Sequence, residues 1–341
     1  MRKIVIGILT HISGNVNANE VEGDRIRIKK LVSASGETYP FVSARAVKRG
    51  IREKLKEFGF KIDPFRIGEG NKLADSGDPI EYVDNDLFGY LYIKGNQQKA
   101  RVSPISMSPI VAIEHTPIQI DFGGRFPREL GEANPTPFEI EVADFIGLMK
   151  VVITERCGIF AESEKTDQLK KWDEYVKDGK IEKITIKKKK EKNEEIIIIE
   201  KNKEKKQIEK NEEVLSKGYY YRYKLKNDEK EKVFYKLSDD ERINRVKAFL
   251  EILLNEGWTY PRRANFFTMA EHVSAIVYCG EKLYPIWKYI DVKNNTFTKP
   301  DLSKDNSKRL LEVYDLKSNS VPSEDIEKMA KWLVGGEWKG D

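Results

Sequence analysis

The chain has 341 residues, with 61 Lys and Arg against 56 Asp and Glu, a formal net charge of +5 and a pI near 8.8. A hydrophobic content of 39% and a mean hydropathy of −0.59 suit a richly charged protein with one large core or two smaller ones. The bulk charge is below that of a dedicated nucleic-acid domain, so any polyanion contact has to come from local patches.

No run approaches the roughly 18 consecutive apolar residues of a membrane span, so no membrane partner is expected. Cys157 and Cys279 lie far apart. They read as two buried hydrophobes in a reducing, cytoplasmic setting rather than a disulfide framework. The histidines His11, His115 and His272 share no zinc spacing with them.

Residues 3–12, KIVIGILTHI, form a β-branched run of strand length. The N-terminus has a short basic start but no small-residue cleavage site, so it reads as a first strand rather than a signal peptide. An inserted loop follows over 13–40, rich in Asn and Gly. Next comes FVSARAVKRGIREKL (41–55), with five cations and one acid. Ser43 can cap a helix from Ala44 and Gly59 can stop it. At about 100° per residue, Arg45, Arg49, Arg52 and Lys56 share one stripe with Lys48 at its edge. Ala44, Val47, Ile51, Leu55 and Phe58 lie opposite, and Glu53 and Glu57 lie off the stripe. The stripe is either a solvated face or the contact for an anionic partner. A row of guanidinium groups suits phosphates, which it binds bidentately.

DNDLFGYLYIKGN (84–96) reads as a strand closed by a Gly-Asn turn, with Phe88, Tyr90 and Tyr92 on one face. The pattern partly echoes aromatic RNA-binding strands, but the match is incomplete and core packing is the stronger explanation. Lys99 and Arg101 follow at a turn. Residues 100–140 are broken by prolines, and 146–160 is another strand. Region 161–237 is a Lys/Glu-rich insertion, with twelve Lys and eight Glu between 180 and 212. It is either a solvated hairpin or a partly disordered extension.

Residues 237–257 carry a capping box, Ser238 with Glu241, then Ile243, Val246, Leu250 and Leu253 at helical spacing. PRRANFF (261–267) places Arg262, Arg263 and Asn265 beside two phenylalanines, a mixture suited to single-stranded nucleic acid. A strand over 270–280 and a mostly helical extension over 283–341 complete the chain.

The order strand, helix, strand, strand, helix, strand is that of a ferredoxin-like or RNA-recognition-motif (RRM) domain. The expected fold is therefore α+β, one domain over 1–341. An antiparallel sheet is covered by helices on one face and is free for ligands on the other. For catalysis there is no phosphate-cradling Gly-rich motif with Lys and no GxSxG. His11 ends the first strand, where a histidine could serve as a general base, but an ordinary strand-end histidine is the favoured reading. Glu20, Glu22 and Asp24 lack a supporting shell for a metal. No catalytic residue, metal or cofactor is expected.

The loop SGNVNANE, the stretch YPFVSARAVKRGIREKL, the segment DNDLFGY and the following RVSPISMSPI, in that order, resemble the DevR-type CRISPR-associated proteins, backbone subunits of type I-B Cascade. The likeness is strongest over about residues 1–160 and resumes loosely at 238–256 and 270–280. It implies a modified RRM palm with a thumb over 95–145 and a variable insertion over 161–237. Copies would assemble head to tail along a CRISPR RNA, beside other Cascade subunits. The RNA bases would be left open to pair with target DNA.

On that resemblance Arg45, Lys48, Arg49, Arg52 and Lys56 line the RNA path and Asn15 and Asn17 bond ribose or phosphate. Lys99 and Arg101 sit at the thumb base, Met107 wedges beside a displaced nucleotide, and Arg262, Arg263 and Asn265 close the groove. Two other readings stay open: a metal-dependent ribonuclease using Asp24, and a regulatory nucleic-acid-binding protein.

Overall fold

The computed structural model describes the chain except for residues 17–19, 68–72, 95–96, 127–133, 135, 162–180, 192–193, 202–203, 209–218, 226–232, 261–267 and 339–341. In chain order the main elements are β1 (Lys3–Gly14), β2 (Thr38–Val42), α1 (Ala44–Glu57), α2 (Val83–Phe88), β3 (Gln119–Arg125), β4 (Thr136–Thr154), α3 (Asp239–Glu251), β5 (Glu271–Gly280), β6 (Leu310–Asp315) and α4 (Ser323–Val334).

The unbroken apolar run of β1 is explained by its place at the centre of the sheet. It pairs antiparallel with β4 on one side and β5 on the other, and both of its faces are buried. Ile4, Ile6 and Ile8 point to one core, Val5 and Leu9 to a second. The sheet runs β6, β5, β1, β4, Ile110–Ala112, β2, Lys30–Val32, and every pairing along that path is antiparallel. Ile105–Met107 also pairs with β4. Taking 105–112 as the second core strand, the spatial order is fourth, first, third, second, and the RRM-like α+β fold stands. The second strand is therefore not 84–96. It lies inside the range expected to be the thumb.

α1 and α3 cover one face. Val47, Ile51 and Leu55 from α1, and Val246, Phe249 and Leu250 from α3, share a core with Ile4, Ile6, Ile8, Met149, Val151 and Ile153. Ser43 caps α1, accepting from the Ala46 amide at 3.3 Å, and Ser238 caps α3, accepting from the Glu241 amide at 3.2 Å. Phe58, expected on the buried side of α1, is its exposed C-cap. Ala46 and Gly50 are buried instead. At Gly50 an added Cβ would lie 2.5 Å from Trp258 Cδ1 and 2.8 Å from the Thr259 carbonyl. The helix thus rests its backbone on that segment.

The second face is not free. Ile286 and Phe297 pack on Val5, Leu9, Ile276 and Tyr278. At Gly7 an added Cβ would meet Phe297 and Trp287 at 3.2 Å, so the cover lies directly on β1. The segment after 283 is mixed rather than mostly helical. It holds a 3₁₀ turn (Ile286–Tyr289), a small hairpin (Ile290–Asp291 with Thr296–Phe297), β6 and α4. Among the described residues, five strands of the Lys/Glu-rich region join Ile159–Ala161 in a six-stranded antiparallel sheet, in the order Ile159–Ala161, Val233–Leu237, Tyr219–Leu225, Ile181–Glu191, Glu194–Lys201, Glu204–Ile208.

Candidate nucleic-acid interface

The cationic stripe divides according to what its members touch. Arg45 and Arg49 are exposed one turn apart, and among the described residues no carboxylate pairs with them. The first turn of α1 holds no acid. Lys48 is half-buried, its Nζ 5.3 Å from the Phe88 ring centroid. Burial first, and then the charge of Arg52, lower its pKa. No described carboxylate neutralises it.

Arg52 belongs to the fold. Its Nε donates to buried Asp84 at 3.0 Å and its guanidinium lies 5.0 Å over the same Phe88 ring. Asp84 also accepts from the Asp63 amide at 3.0 Å, so Arg52 pins α1 to α2 and, through Asp84, to the segment before it. Lys56 pairs with Glu53 at 2.8 Å on an exposed surface, a contact worth little in water. The stripe thus offers two free guanidinium groups, a half-desolvated ammonium beside them, and two members already paired.

Residues 83–88 form a short helix because the acidic side chains of Asp84 and Asp86 turn inward to buried partners. Gly89, at φ 74°, ends it, where a Cβ would strike the Arg101 carbonyl. Tyr90–Lys94 then pairs with Gln97–Arg101 as a hairpin outside the main sheet.

Three other expected contact residues, Arg101, Asn15 and Met107, pack into the fold. Arg101 is buried: its Nη2 meets Asp86 Oδ1 at 2.6 Å and its Nη1 donates to the Ile159 carbonyl at 2.7 Å. Asn15 is buried and donates to the Glu141 carbonyl at 2.5 Å. Met107 is partly buried, opposite Val151, and packs on the core rather than standing out as a wedge. Lys99 lies on the Gln97–Arg101 strand, with its side chain outside the described residues. Asn17, Arg262, Arg263 and Asn265 also fall outside them.

Asp24 sits in the turn between strands Glu20–Glu22 and Arg25–Arg27, beside the Arg25–Glu139 pair at 2.5 Å. Among the described residues no group of three or more His, Cys, Asp or Glu is placed to hold a metal ion. His11 has both ring nitrogens against carboxylates, Asp144 at 3.0 Å and Glu271 at 3.1 Å. Cys157 and Cys279 are free and buried, and burial pushes the Cys157 thiol up to about 12.

A buried ionic knot escaped the sequence reading. Asp86 accepts from Arg101, from Arg245 Nη1 at 3.0 Å and from the Gly158 amide at 2.9 Å. Arg242, one turn before Arg245, donates to the carbonyls of Cys157, Glu155 and Val334 at 2.8, 2.6 and 3.1 Å. The knot ties α2, α3, the C-terminus of α4 and the root of the insertion together. Its signal was available: Arg242 and Arg245 share the helical face of Val246 and Phe249, where a surface cation does not belong.

A model of the family described as "CRISPR-associated negative auto-regulator DevR/Csa2" matches residues 76–299, more than half of the chain. The chain belongs to the CRISPR-associated DevR/Csa2 family. No curated protein matches this DevR/Csa2 chain in sequence. Chains of two solved assemblies superpose on it weakly. A "CRISPR RNA-guided surveillance complex" gives a TM-score of 0.42 at 11% identity, covering 83% of this chain and 71% of that one. A "CRISPR RNA-guided surveillance complex, pre-nicking" gives 0.40 at 10% identity, covering 81% and 75%. At these TM-scores the superpositions add nothing to the family match.

Proposed function

We propose that this DevR/Csa2 chain is the guide-RNA backbone subunit of a type I-B Cascade complex, without catalytic activity of its own. Copies would assemble head to tail along a CRISPR RNA in the cytoplasm beside other Cascade subunits. Such contacts are heterologous and do not close, so RNA length would set copy number. The phosphates would be gripped and the bases left to read target DNA, since phosphate contacts position without specifying.

The observation that carries this reading is the uncompensated pair Arg45 and Arg49 at the start of α1, with Lys48 beside it, in a member of a CRISPR-associated family. Lys56, Lys99, Asn17, Arg262, Arg263 and Asn265 extend the proposed path, whereas Arg52, Arg101, Asn15 and Met107 support the fold beneath it. The test is co-expression with a CRISPR array. The wild-type protein copurifies with RNA and absorbs strongly at 260 nm, and the double variant Arg45→Glu, Arg49→Glu loses the RNA at an unchanged melting temperature. Unchanged RNA content in that variant overturns the proposal. The family description also names auto-regulation, and a preference for duplex DNA over single-stranded RNA in the same preparation would favour that second reading.

A further inference from the structure

β4 serves two pairings in succession. Its partnership with β3 runs up to Gln119 opposite Val142, and its partnership with β1 begins at Gly14 opposite Ala143. Residues 142–144 are therefore the root at which the β3–β4 hairpin leaves the main sheet. A cleft of about 330 Å³ opens at this root, lined by Ser13, Gly14, Thr116, Pro117, Gln119 and Asp144 among others.

His11 lies at the same end of the sheet. Its Nε2 is 3.0 Å from Asp144 Oδ2 on β4 and its Nδ1 is 3.1 Å from Glu271 Oε2 on β5. An ionised carboxylate only accepts, and a neutral imidazole carries one N–H. Both bonds exist together only when the ring is an imidazolium. The segment 116–119 across the cleft, TPIQ, carries no charge, so Asp144 and Glu271 are the charged groups that face the ring among the described residues. His11 is about one-third exposed, 34%, and exchanges its proton with solvent.

We propose that His11 is a proton-operated clasp at the root of the β3–β4 hairpin: protonated, it ties β4 to β1 and β5, and deprotonated, it releases Asp144 and loosens the root. The release falls on the Asp144 side. β5 keeps a second side-chain tie that does not titrate, the Thr10 hydroxyl donating to the Glu271 carbonyl at 3.1 Å, whereas among the described residues Asp144 has His11 alone as a side-chain partner and otherwise only the backbone ladder. The direction of the pH effect follows from the ring's surroundings. Burial alone would lower the His11 pKa, but the hydrogen bonds to Glu271 and Asp144, and then their charges, raise it above 6.5. A group whose folded-state pKa is raised stabilises fully below its unfolded value, and that contribution is lost as pH rises through the folded value. While both carboxylates are ionised, the clasp is closed below pH 6.5 and opens above the raised value.

Two measurements on the full chain test this. An NMR titration of the His11 ring gives a pKa above 6.5 that falls in Asp144→Asn. Hydrogen exchange between pH 6 and 9, corrected for intrinsic rates, shows protection of the 142–144 amides dropping several-fold as His11 titrates. In His11→Gln the protection is low and flat across the same range. Should that variant fail to fold, Asp144→Ala, which removes the acceptor, supplies the same flat profile with the ring intact. A His11 pKa at or below 6.5, or root protection that ignores pH in the wild type, overturns the proposal.

Discussion

At the scale of single residues, charge alone does not say what a cation is for. Arg45, Arg49 and Arg52 look equivalent on a helical wheel, yet only Arg52 has a buried carboxylate beneath it. Arg45→Ala is expected to change stability by no more than about 0.5 kcal/mol, as surface substitutions do. Arg52→Ala should cost about 1–3 kcal/mol by leaving Asp84 short of a partner, and thermal melts of the two variants separate these outcomes. Asp86→Ala takes a buried carboxylate from both Arg101 and Arg245, leaving Arg245 its pair with Glu241 at 2.8 Å, and should cost about 3–5 kcal/mol, read as a lower urea midpoint. The stripe was legible because periodicity reveals which residues share a face. Its division was not, because that depends on Asp84, which the sequence places on a strand and the structure places in a buried helix.

At the scale of elements, what the sequence revealed is what is encoded locally. β1, α1, α3 and β5 each carry a long periodic run or a capping residue, and each lies within a few residues of its expected bounds. α2 has six residues, too few for a period to show, and its helix is set by the partners waiting for Asp84 and Asp86. The covered second face was equally hidden, since nothing in residues 284–297 announces which surface they will meet.

The seat of α1 gives a prediction at this scale. Gly50→Ala gains about 1 kcal/mol of helix propensity. It nonetheless forces a Cβ against Trp258 and the Thr259 carbonyl, an overpacking cost of about 1–3 kcal/mol. The variant should therefore melt no higher than the wild type. A clear rise in melting temperature would show that α1 does not rest there.

At the scale of the molecule, an RRM-like core carries an added sheet whose root, residues 155–159, is held by Arg242, Asp86 and Arg101. Because Ala161 pairs with Phe234, residues 163–232 can be replaced by a short Gly-Ser linker without removing that root. The shortened protein should fold and retain RNA, as seen by circular dichroism and copurification. Loss of RNA with an intact fold would place part of the grip in the insertion.

The most direct measurement is a binding titration against unrelated RNA sequences of equal length over a range of salt concentrations. The account predicts near-equal affinities that fall steeply with salt. In Arg45→Glu, Arg49→Glu the slope of log affinity against log salt should be shallower by roughly 1.4, from about 0.7 per lost phosphate contact on a single strand. Strong preference for one sequence, or an unaltered slope in the double variant, would contradict it.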